Sequence, residues 1–244
     1  MKRVIAYLLL VVAGMAQTKS FTKSPAKVPQ PELTVSDPAI RVVLSNSQVR
    51  VVSIDLAPHA STQTTRRDYD FILLSLSQSE FDFVGANTVH MSMQPNELQV
   101  LNGRWSHRVV NSGDNAIHLV LVEVKRGISP EQAICGLNAK TCTESRFAYE
   151  KTGGYVSGTL FETPSIKLSR VEIDPDATMP EHGHKGSEVL VALTDQQLSN
   201  AVMGGDVSDI RGRAGDATWL GGNMVHQVRN RGASKVQFLE IECK

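Results

Sequence analysis

Met179-Pro180-Glu181-His182-Gly183-His184-Lys185-Gly186-Ser187-Glu188 is the stretch on which the reading of this chain turns. Read as one extended strand, with side chains alternating between faces, it sends His182, His184 and Glu188 out on the same side. Two imidazoles and a carboxylate make a mixed nitrogen and oxygen donor set of the kind divalent first-row metals accept. His226, further along, is the candidate for one more imidazole from a facing strand.

Around this stretch the chain shows little helical periodicity and many short β-rich runs. In the first half they cover 49–56, 69–76, 80–84, 89–93, 97–101, 108–110 and 117–124; in the second, 166–173, 188–193, 198–203, 207–211, 217–220, 225–228 and 235–242. Turn chemistry such as Ala57-Pro58, Gly85-Ala86-Asn87, Asn102-Gly103 and Asn111-Ser112-Gly113-Asp114 falls between them. Regularly spaced short strands of this kind predict an all-β sandwich or barrel.

The two halves also superpose as sequence. Leu101-Asn102-Gly103-Arg104-Trp105-Ser106-His107-Arg108-Val109-Val110-Asn111 falls on Leu220-Gly221-Gly222-Asn223-Met224-Val225-His226-Gln227-Val228-Arg229-Asn230, and 119–124 falls on 238–243 at the same offset. Asp70-Phe71-Ile72-Leu73-Leu74 meets Glu188-Val189-Leu190-Val191-Ala192 after a one-residue adjustment. The expected organisation is therefore a duplicated β domain, at 39–125 and 157–244, joined by a connector over 126–156 in which Ser129-Pro130-Glu131-Gln132 has the cap chemistry of a helix start.

With these residues in view, the second half resembles the cupin superfamily. That superfamily's first motif sets a glycine, two histidines one residue apart, a glutamate and a glycine; here the positions hold Asp176, His182, His184, Glu188 and Asp195. The second motif holds Gly215, Gly221, Asn223, His226 and Asn230. All four ligand positions match, and the departures fall on turn positions, where Asp and Asn are tolerated comparatively well. The resemblance covers nearly the whole chain beyond its leader and implies two tandem cupin (double-stranded β-helix, or jelly-roll) barrels. It also implies one divalent metal ion, Fe, Mn, Ni, Co or Zn, held by His182, His184, Glu188 and His226, with Glu188 also able to shuttle a proton. The first half keeps His107 and Asn111 but shows Thr64 and Arg66, or Thr65 and Arg67, where the two histidines belong, and Asp70 at the glutamate position. Arginine offers a metal no lone pair, so this barrel is expected to hold none, with a salt bridge from that arginine to Asp70 in its place. His59, His90 and His118 read as surface or satisfied core residues.

Residues 1–16 have the parts of a secretory signal: Lys2 and Arg3, an apolar run, then small residues up to Ala16. Residues 17–38 read as a proline-rich leader. A periplasmic or secreted protein, with no stable membrane association after signal cleavage, is expected. The 25 Lys and Arg balance 25 Asp and Glu, and no basic patch tracks a phosphate backbone, so nucleic acid is an unexpected partner and a small-molecule ligand or substrate the expected one. Edge strands leave a homodimer open. Export permits a Cys135–Cys142 disulfide, while Cys243, alternating with Leu239 and Ile241, reads as a buried small hydrophobe. The cupin resemblance implies a metal-dependent oxygenase-type enzyme, with quercetinase-like dioxygenases as its nearest pattern. The alternative is a non-catalytic bicupin that binds a small ligand or metal, or serves as a structural module.

Overall fold

The computed structural model describes residues 37–128 and 149–244, with side chains from residue 153 onward in the second segment. The expected signal segment, nearly all of the leader, the helix start at Ser129 and the Cys135–Cys142 pair lie outside the described residues.

The first half contains β1 (Ile40–Ser45), β2 (Val49–Leu56), β3 (Thr65–Arg67), β4 (Phe71–Ser75), β5 (Ser79–Val84), β6 (Thr88–Met93), β7 (Leu98–Leu101), β8 (Trp105–Asn111) and β9 (Ile117–Val124). The second contains β10 (Tyr149–Thr152), β11 (Tyr155–Glu162), β12 (Ile166–Ile173), β13 (Thr178–His184), β14 (Ser187–Ala192), β15 (Gln196–Val202), β16 (Val207–Gly212), β17 (Ala217–Leu220), β18 (Met224–Asn230) and β19 (Val236–Cys243). Residues 149–156, expected in the connector, instead form β10 and the start of β11, which pair with each other and extend the second half's larger sheet.

Every strand pair is antiparallel. The first half forms the sheets β1-β2-β9-β4-β7 and β3-β8-β5-β6, and the second forms β10-β11-β12-β19-β14-β17 and β13-β18-β15-β16. Apart from β10, the second set repeats the first strand for strand, so the duplication read from sequence extends to topology. The loop after β8 repeats too: the Asn111 amide donates to the carbonyls of Leu56, Ala57 and Asn115, and that of Asn230 to the carbonyls of Ile173 and Ser234.

Alternation along the central strands sorts their side chains into three cores. In β9, Leu119 and Leu121 join Phe71, Leu73, Phe81 and Phe83 inside the first barrel, whereas Val120, Val122 and Val124 turn outward. There they meet Val189, Val191, Leu239, Ile241 and Cys243 of the second half, so the larger sheets pack against each other by their outer faces. Both faces of these strands are buried, which is why they read as nearly continuous apolar runs. At roughly 1.5–3 kcal/mol for each fully buried aliphatic or aromatic side chain, this shared core binds the halves into one body. Cys243 is 6% exposed within it, and burial pushes its thiol up to about 11. Tyr155, Val171, Ile173, Leu190, Leu198, Val228 and Phe238 fill the second barrel.

Candidate metal centre

The opening stretch is two strands, not one. β13 ends at His184, Lys185-Gly186 turns the chain, and Glu188 is the second residue of β14, in the opposite sheet. Glu188 thus reaches the histidines from across the barrel, and its shared parity with them does not place it on their strand. The turn is tight: a Cβ on Gly186 would lie 2.0 Å from the Cys243 carbonyl oxygen. His226 on β18 stands directly opposite His182, and the pairing of β13 with β18 slips between Met179 and His182. Pro180, which has no N–H to give the ladder, lies in that irregular step.

Three imidazoles meet at this end of the second barrel. Ring centroids are 4.8 Å apart for His182 and His184, 4.4 Å for His182 and His226, and 5.2 Å for His184 and His226. Each ring is held through Nδ1. His182 Nδ1 lies 2.7 Å from the Pro180 carbonyl oxygen, His226 Nδ1 lies 2.7 Å from Asn200 Oδ1, and His184 Nδ1 contacts the Glu188 carboxylate. Those oxygens accept a hydrogen bond from Nδ1–H, which leaves the lone pair on Nε2. The Nε2 atoms of His184 and His226 are buried and have no hydrogen-bond partner. One ring nitrogen from each of the three residues lies within 4.8 Å of the others. This donor set fits a divalent ion such as those expected from the sequence.

Glu188 sits one step away. It is wholly buried and groups with His184 and Glu240, not with all three histidines at once. Its Oε2 has no hydrogen-bond partner. Burial raises its pKa, and the His184 contact offsets this only in part. Burial works against a charged His184 as well, but Glu188, backed by Glu240 and Glu242, outweighs it and His184 is raised. Glu240 is pushed up to about 7, by burial and by the neighbouring Glu188 charge. His226 is pushed down to about 4, by burial and then by the two neighbouring histidines, and so stays neutral.

The first barrel shows the same positions with different chemistry. Thr65 pairs with His107 as His182 pairs with His226, so Thr65 and Arg67 stand in for the two histidines, the second of the two expected alignments. Phe71 pairs with Leu101 and Glu123 as Glu188 pairs with Leu220 and Glu242. Phe71, not Asp70, therefore occupies the glutamate position. The expected Arg–Asp70 bridge is also replaced: Arg67 Nη1 donates to Glu123 Oε1 at 2.8 Å, while the Asp70 carboxylate accepts from the backbone N–H groups of Gly103 and Ile128. His107 is enclosed by Trp105, Phe83 and Phe71, at centroid distances of 4.1, 4.8 and 6.4 Å. Burial and the Arg67 charge push its pKa down to about 4.

Two residues at the centre had no motif to mark them, Asn200 and Glu240. Each had a signal in the repeat. Phe83 stands where Asn200 does and Leu121 where Glu240 does, so a polar side chain in one half replaces an apolar one in the other at an inward strand position. Two turn positions where the chain departs from the family's glycine, Asp176 and Asn223, have φ of 59° and 55°, the left-handed conformation those residues tolerate. Around the cluster, Leu190 and Val228 lie in the barrel core, Met203 is exposed, and Trp219 packs against the core between the halves.

No protein-family model and no curated protein matches the sequence. Solved structures do match. The chain is similar to a cupin 2 conserved barrel domain protein from Leptotrichia buccalis (TM-score 0.53, 13% identity, 84% of this chain and 88% of that one). It is also similar to oxalate decarboxylase from Lactobacillus farciminis in a formate complex (0.60, 13%, 81% and 77%). A third match is AerE from Microcystis aeruginosa (0.58, 12%, 85% and 98%). The chain thus shares the fold of these cupin-barrel structures, as two tandem barrels of which the second carries the histidine cluster.

Proposed function

We propose that this chain is an exported, metal-dependent cupin enzyme with oxygenase-type chemistry on a small organic substrate. The convergence of three imidazoles, each held through Nδ1 and two of them buried, carries this reading. His182, His184 and His226 would hold the ion, with Glu188 completing the set by a side-chain adjustment or remaining the acceptor for His184. A divalent ion there supplies Lewis acidity or redox capacity. The chain's own residues supply the rest. Asn200 orients His226, the apolar barrel excludes bulk water, and Glu188, buried with one oxygen unpaired, is the group that takes and returns a proton.

The test begins with the metal content of the purified full chain and of His226→Ala. About one divalent ion per chain is expected in the first and a large loss in the second, and a wild-type protein that takes up no metal refutes the reading. Oxygen uptake and product analysis with flavonols, catechols and oxalate follow, oxalate because several structural neighbours are oxalate decarboxylases. Stoichiometric metal without turnover on this panel assigns the chain to the non-catalytic alternative.

A further inference from the structure

The first barrel carries no histidine cluster, yet its mouth is hollow. A cavity of about 710 Å³ opens where the β5–β6 hairpin, the β7–β8 connection and β3 meet. That volume falls within the range of small-molecule sites. Phe83, Met91, Leu101 and Trp105 form its apolar wall, and Val89, also in the lining, is left 48% exposed. Two guanidinium groups, Arg66 and Arg104, belong to the lining, and no carboxylate does.

The arginines differ in how they are held. Arg66 donates through Nε to Asp68 at 2.7 Å, which steadies the side chain, offsets part of its charge and leaves both Nη groups for another acceptor. Arg104 makes no ion pair among the described residues and has a φ of 70°. Its counterpart in the second half, Asn223, has a residue type suited to that conformation, whereas arginine is not. The turn therefore gives no reason for arginine at this position, and a charge at the rim does. An indole and a phenyl ring behind two cations suit a flat apolar body with one negative end, since aromatic faces stack and a guanidinium pairs with a carboxylate in a fork.

We infer that the mouth of the first barrel is a second, metal-independent binding site, for a small aromatic carboxylate. The site shares no residue with the histidine cluster, so it stands or falls separately from the proposed enzyme activity. The full chain in a Trp219→Phe background leaves Trp105 as the only tryptophan, and its fluorescence is titrated with 2-naphthoate and with uncharged 2-naphthamide. Saturable one-to-one quenching by naphthoate is expected, at least tenfold weaker with naphthamide and at least tenfold weaker in Arg66→Gln/Arg104→Asn. The second substitution installs the residue that the other half uses in this backbone conformation, so the variant is expected to fold. Binding in His226→Ala is expected to be unchanged. The inference is overturned by no saturation at millimolar naphthoate, by equal binding of the amide, by affinity that survives loss of both arginines, or by affinity lost with His226.

Discussion

Replacing Glu123 with leucine tests how the first barrel holds a charge where the second holds imidazoles. Arg67 and Glu123 have side chains 3% and 5% exposed and meet at 2.8 Å, and Arg67 Nε has no partner of its own. Glu123→Leu leaves the guanidinium buried and uncompensated, a change that costs about 3–5 kcal/mol. Arg67→Met is milder, about 1–3 kcal/mol, because Arg50 still lies 3.9 Å from the remaining carboxylate. The double variant places two apolar side chains in an apolar barrel and should fall within about 1–2 kcal/mol of the wild type. Urea unfolding of the full chain, followed by tryptophan fluorescence, gives the four corners of the cycle. Because Arg67 helps depress His107, the pKa of His107 should also rise from about 4 in Arg67→Met, read by NMR. Additive single costs, or a His107 titration that does not move, would refute the coupling described here.

Three more outcomes are expected. His107 titrates at about 4 folded against an ordinary 6.5, so between these values the unfolded chain binds more protons; its contribution is complete above about pH 6.5 and lost as pH falls through 4. The loss amounts to at most about 3 kcal/mol, and His107→Phe should flatten that part of the stability profile. Asn200→Leu removes the acceptor that fixes His226 and should weaken metal binding about 10–100-fold with the fold intact, measured by competition with a chelator. Gly186→Ala drives a methyl into the Cys243 carbonyl, costing about 1–3 kcal/mol or more in thermal unfolding and displacing the turn between His184 and Glu188. Its metal affinity should fall accordingly.

The strand runs, the duplication and the grouping of His182, His184 and His226 were legible because each depends on local alternation or on spacing within a repeat. What sequence did not resolve depends on pairing between strands. Parity passes through the two-residue turn at Lys185-Gly186 unchanged, so it cannot tell one strand from two in opposite sheets. The assignment of Asp70 missed by one residue, and in a strand one residue is the difference between facing the core and facing away. Phe71 lies inside and Asp70 caps backbone at the strand's edge. Glu123 was hidden for a related reason: its partner Arg67 lies 56 positions away and becomes its neighbour only when the sheets close over the barrel.

The strands at the join carry two independent texts. In β9 the residues at 119, 121 and 123 belong to the interior of the first barrel, and those at 120, 122 and 124 to the contact with the second half. Editing one set leaves the other intact. A barrel built this way can exchange histidines for an arginine, a glutamate for a phenylalanine, and a histidine-lined interior for a differently furnished one, while its neighbour still finds the same valines to lean on. The tandem arrangement thus lets the interior of one half change without disturbing its contact with the other.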